Sequence, residues 1–108
     1  MIVGGRELIL YQGFIDSVLE LEQWAGREQA RKGRMLVKRL MDFAFDTIAL
    51  LPFSFPVYAF PQAPARTLRR AVFDRQYAVI YEVQASEILF VYAYSTFRNP
   101  EALRLPQS

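Results

Sequence analysis

The stretch from Thr47 to Ala65, "TIALLPFSFPVYAFPQAPA", most limits what this chain can become. Nineteen residues pass without a charge, and three arginines follow within five positions. A membrane-spanning helix needs about twenty apolar residues and internal satisfaction of every backbone group. Here Pro52, Pro56, Pro61 and Pro64 interrupt the run. Each lacks an amide donor and pushes the preceding residue out of the α region, so a spanning helix is excluded. The run reads as an extended, proline-stiffened connector rather than a binding strip. Its side chains Leu50, Leu51, Phe53, Phe55, Val57 and Phe60 are expected to cling to the core.

The connector separates two halves of different period. Before it, "RELILYQ" (6–12) is a short strand-like run closed by Gly13. Phe14, Val18, Leu21 and Ala25 then recur at helical spacing, and Gly26 supplies a stop, with Trp24 near the edge of the stripe. A longer helix is expected from about Glu28 to Leu51, carried by Leu36, Leu40, Phe43, Thr47 and Leu51 and ended by Pro52. Gly33 costs about 1 kcal/mol against Ala inside a helix, which favours a start after it. Beyond the connector, "RTLRRAVF" (66–73), "YAVIYEV" (77–83) and "EILFVYAYS" (87–95) read as strands joined by short turns. "NPEALR" (99–104) offers one or two helical turns with Asn99 as N-cap.

The order β-α-α-β-β-β implies an α+β fold, a helical hairpin packed on one face of a small, mainly antiparallel sheet. At 108 residues the chain forms a single domain, 1–108. A helical pair covers one face only, so the other is expected to stay open for a partner, a second copy in a homodimer, or a ligand. By strand alternation Ala78 and Ile80 would line it.

Absences narrow the chemistry. The chain has no His and no Cys, so it lacks an imidazole base, a thiol nucleophile and the usual zinc ligands. No glycine-rich phosphate loop is visible, and the carboxylates are scattered. No metal and no cofactor is expected. "MIVGGRELILYQG" carries Arg6 and Glu7 within its apolar stretch, unlike a signal peptide, and the lack of cysteine fits a reducing cytoplasm.

What remains is arginine beside tyrosine. The net charge is only +2, yet residues 27–39 hold six Lys/Arg against one Glu, and residues 66–75 hold four Arg against one Asp. Such segregation creates local positive potential. Arg66, Arg69 and Arg70 precede strands bearing Tyr77, Tyr81, Tyr92 and Tyr94, and Arg98 follows them. Guanidinium groups fork onto phosphates, and tyrosine stacks on bases or donates its phenol. The same tyrosines would serve equally as core and rim residues. Arg27, Arg31, Arg34 and Lys38 form a second basic stripe at helical spacing, which suits either phosphate binding or simple solvation.

In its order of elements, and in "IALLPFSFP", "YAVIYEV", "EILFVYAYS" and "FRNPE", the chain resembles the RelE/ParE superfamily of toxins from bacterial toxin–antitoxin modules, over about residues 6–104. That resemblance implies a compact toxin neutralised by a cognate antitoxin protein, for which Ala78 and Ile80 would provide an apolar seat. It implies one of two targets: DNA gyrase, bound as ParE-like members bind it, or ribosome-bound mRNA, cut without metal as RelE-like members cut it. By the resemblance Arg69 and Arg98 match the family's basic positions and, with Tyr94, would be the catalytic set of the nuclease reading; the basic clusters themselves add Arg66, Arg70, Arg31, Arg34 and Lys38 as target contacts. RNA-cleaving members typically place Arg after the tyrosine that opens the third strand, where this chain has Ala78 after Tyr77. The resemblance therefore points to target binding ahead of RNA cleavage, with an inactive interaction module as a third reading.

Overall fold

The computed structural model describes residues 1–61 and 63–97. The expected turns at 99–104 and Arg98 lie outside the described residues. The elements are β1 (Ile2–Val3), β2 (Arg6–Leu10), α1 (Gln12–Ala25), α2 (Ala30–Asp42), a π-helical continuation (Phe43–Ile48), β3 (Arg69–Phe73), β4 (Tyr77–Val83) and β5 (Glu87–Ser95). They make one five-stranded sheet in the order β1-β2-β5-β4-β3. Only the β2–β5 pairing is parallel. The α+β expectation holds, with the helices packed against the sheet.

The boundaries of β4 and β5 match those read from the sequence; β3, expected over 66–73, begins only at Arg69, and the elements before it differ for physical reasons. β2 stops at Leu10 because α1 leaves the sheet there: the Tyr11 N–H donates to Phe90 O at 3.0 Å, and Gly13 is buried inside the helix. The Ser17 hydroxyl accepts from the Ala93 N–H at 2.9 Å, so a helix side chain meets β5 beyond the end of β2. The expected helix from Glu28 to Leu51 is α-helical only to Asp42, then π-helical to Ile48, with Ala49 N–H donating to Ala44 O. Gly33 lies inside α2, not before it. A Cβ there would collide with the Glu22 carbonyl oxygen, so glycine lets the two helices approach where they cross. Gly4 and Gly5, at φ 60° and 81°, make the β1–β2 turn that the sequence reading did not anticipate.

The sheet has two apolar faces, and both are covered. On the helix side Phe14, Val18, Leu21, Leu36, Leu40, Ala44 and Ile48 meet Ala71, Tyr77, Val79, Tyr81, Ile88, Phe90 and Ala93. On the other side Phe60 and Leu68 pack with Ala78, Ile80, Val91 and Tyr94. A bulge where Ile80 faces Tyr92 and Tyr81 faces Phe90 shifts the phase of β5, which lets Phe90 and Ala93 share the helix side. The expectation of an open face is thus overturned: the connector roofs it.

The connector does so by turning around the β3 edge. It leaves the π-helical end at Pro52, whose carbonyl accepts from the buried Tyr81 hydroxyl at 2.7 Å. Val57 then bridges Arg69, Arg70 N–H donates to Pro56 O at 3.1 Å, and Tyr58 N–H donates to Leu68 O at 2.8 Å. From there it lays Phe60 onto the second face. Of the residues expected to cling to the core, Phe60 is buried and Phe55 half-buried, whereas Leu50, Leu51, Phe53 and Val57 are exposed.

Candidate functional site

The register of the β3–β4 hairpin decides which arginine meets which tyrosine. Asp74, Arg75 and Gln76 form a three-residue connection, the first two at positive φ, with Gln76 N–H donating to Phe73 O at 3.2 Å. That turn sets Phe73 opposite Tyr77, Arg70 opposite Ile80, and Arg69 opposite Tyr81. Directly opposed residues share a face. Arg69 therefore goes with Tyr81 on the helix side, and Arg70 goes with Ile80 and Tyr94 on the other. The grouping of Arg69 with Tyr94 is corrected by this register.

Arg70 is the arginine at Tyr94. Its guanidinium carbon lies 5.0 Å from the Tyr58 ring centroid and 5.8 Å from that of Tyr94. The Tyr94 side chain is almost wholly buried, and burial pushes its phenol pKa up, only partly offset by the Arg70 charge. Among the described residues neither Arg70 Nε nor Tyr94 Oη has a hydrogen-bond partner, although both atoms are buried. The guanidinium acts on the phenol through its charge and its close polar approach, both opposing the effect of burial. Two buried, unsatisfied polar atoms cost free energy and call for an anionic or acceptor-rich group to complete them.

Arg66 extends this surface. Its Nε donates to Glu82 Oε1 at 2.8 Å in a mostly buried ion pair, and its guanidinium sits 5.7 Å from the Tyr11 ring centroid. Arg66, Arg70, Tyr94, Tyr58 and Glu82 thus form a shelf along the connector side of the sheet. Tyr58 and Glu82 were not singled out from the sequence; Glu82 could have been found by pairing arithmetic, since it occupies the β4 position after Tyr81.

The remaining residues disperse. Arg69 donates to Phe55 O at 2.6 Å and lies 5.1 Å from the Phe53 ring centroid, with Arg6 5.3 Å from the same centroid. Arg69 is used in holding the connector. Ala78 and Ile80 are fully buried beneath Phe60 and Leu68, so they are not a seat for an antitoxin. On α2, Lys38 is paired with Asp42 at 2.9 Å, while Arg31 and Arg34 are exposed and make no ion pair among the described residues. Among those residues no group of three or more His, Cys, Asp or Glu could hold a metal ion, and no helix is long and apolar enough to cross a membrane.

One apolar groove stays uncovered. Leu10, Phe14, Ile15, Val18, Leu19, Val37 and Met41 line a hollow of about 220 Å³ between the two helices and the end of β2. Leu19 is 49% exposed there.

The arrangement of helical pair, sheet and wrapping connector has solved counterparts. A chain of the "Chromosomal ParDE TA system from P. aeruginosa" superposes with a TM-score of 0.66 at 10% identity, over 84% of this chain and 96% of that one. YafQ from E. coli strain BL21(DE3) superposes with a TM-score of 0.54 at 15% identity, over 85% and 94%. No family model matches the sequence, and the curated proteins give no match. Identity this low speaks for the fold alone. The chain shares the overall fold of these two structures.

Proposed function

We propose that the chain is the toxin of a type II toxin–antitoxin pair, neutralised by a cognate antitoxin, and that it acts by gripping a macromolecular target rather than by cutting RNA. The likeness to a ParDE chain over 96% of that chain's length carries the first part. The chemistry of the shelf supports the second. Hydroxyl activation on RNA needs a base tuned towards neutrality. At the shelf the phenol of Tyr94 is pushed the wrong way, and the one carboxylate, Glu82, is held by Arg66. DNA gyrase is the target this reading favours. With Ala78 and Ile80 buried, the groove lined by Ile15, Leu19, Val37 and Met41 is the place for an apolar antitoxin helix.

One observation favours a second reading. The unsatisfied Arg70 Nε and Tyr94 Oη would suit a phosphate oxygen of ribosome-bound mRNA. Production of the chain in bacteria should slow growth, and co-expression of the neighbouring small reading frame should restore it. Supercoiling and translation-coupled cleavage assays run side by side then separate the targets, with Arg70→Ala and Tyr94→Phe as probes. A chain that neither slows growth nor binds that neighbour would remove the proposal.

A further inference from the structure

The single tryptophan stands between two hollows at the tip of the helical hairpin, away from the Arg70–Tyr94 shelf. On one side a basin of about 440 Å³ is lined by Trp24, Arg27, Lys32, Met35, Arg39 and Tyr77, among others. On the other a slot of about 170 Å³ is lined by Leu21, Trp24, Ser95 and Phe97. The indole is 47% exposed and the Phe97 ring 80% exposed, so two aromatic plates border the slot with little else covering them.

The basin is cationic in a usable way. Arg39 is paired with Asp74, the one carboxylate in the lining. Lys32 makes no ion pair among the described residues. Arg27 spends one donor on the Trp24 carbonyl, at 2.7 Å, and stacks its guanidinium 4.5 Å from the indole centroid. That leaves its other N–H groups free for an anion, and its stacked plane continues the aromatic surface. Arg31 and Arg34, on α2 with Lys32, lie exposed and make no ion pair among the described residues, so the surrounding potential is positive.

We infer that this tip binds single-stranded nucleic acid, with a base on the Trp24–Phe97 slot and the adjoining phosphate held by Arg27 and Lys32. Flat, exposed aromatic plates beside unpaired cations are what an unstacked base joined to a phosphate requires. An acidic peptide would use the cations but leave the plates idle. This inference goes beyond the toxin reading and does not depend on it.

Because Trp24 is the chain's only tryptophan, its emission reports the site directly. Titrating the full chain with a short oligoadenylate at low salt should quench that emission, and two phosphate contacts give a log–log salt slope of about −1.4. Phe97→Ala, which keeps the reporter at an exposed position, should weaken binding about tenfold. The double change Arg27→Ala/Lys32→Ala should weaken it further and flatten the salt slope. Circular dichroism checks that the variants fold, and a labelled oligonucleotide gives a second readout by anisotropy. Absence of quenching, equal quenching by polyglutamate of matched charge, or unchanged affinity in Phe97→Ala would each overturn the assignment.

Discussion

At Tyr94 stability and use are set against each other. A buried phenol hydroxyl without a partner among the described residues costs its desolvation. Tyr94→Phe should therefore raise stability by about 1–2 kcal/mol in urea unfolding while weakening whatever the shelf holds. Loss of stability instead would mean that the hydroxyl is satisfied. Tyr81 behaves differently, because its hydroxyl donates to Pro52 O and burial raises its pKa from 10.0 to about 12, against the pull of Arg69. The sign follows from linkage: between those two values the folded chain holds a proton that the unfolded chain has released. The contribution of Tyr81 is complete below about pH 10 and is withdrawn as pH rises through about 12. Alkaline unfolding should start in that window, and Tyr81→Phe should remove this part of the pH dependence. A midpoint with the same pH profile in both proteins would count against it.

At the scale of elements, Gly33 tests the helix crossing. Helix propensity alone makes Gly33→Ala stabilising by about 1 kcal/mol. The collision of its Cβ with the Glu22 backbone reverses the sign, and a loss of about 1–3 kcal/mol is expected in thermal or urea unfolding. The same element shows what sequence can and cannot give. β4 and β5 were legible to the residue because runs rich in Val, Ile, Tyr and Phe lie between polar turns. The two helices were legible from Val18, Leu21, Leu36 and Leu40. Gly33 was not, because its meaning is a distance to another helix. The partner of Tyr94 was legible in principle: a three-residue connection, Asp74 to Gln76, pairs Phe73 with Tyr77 and so places Arg70, not Arg69, on the face of Ile80. Val72 obscures that phase, being larger and more apolar than Ala71 yet exposed while Ala71 is buried. The roof over the second face was hidden for another reason. Proline spacing shows that a segment is extended but not around which sheet edge it turns.

For the whole molecule, the roof is structural. Phe60 is buried against Leu68, Ala78, Ile80, Val91 and Tyr94. Phe60→Ala should cost about 3–5 kcal/mol and raise binding of a hydrophobic dye by uncovering that face. A small loss with no added dye binding would show that the connector rests on the sheet without supporting it.

The parallel pairing of β2 with β5 reaches furthest. Leu8 and Ile9 sit beside Ile88 and Leu89, so two segments far apart in the sequence are stitched together. A seam that spans so much of the chain is slow to close. Until β5 is in place, β2 and β4, which both pair with it, stay unjoined and the middle of the sheet is missing.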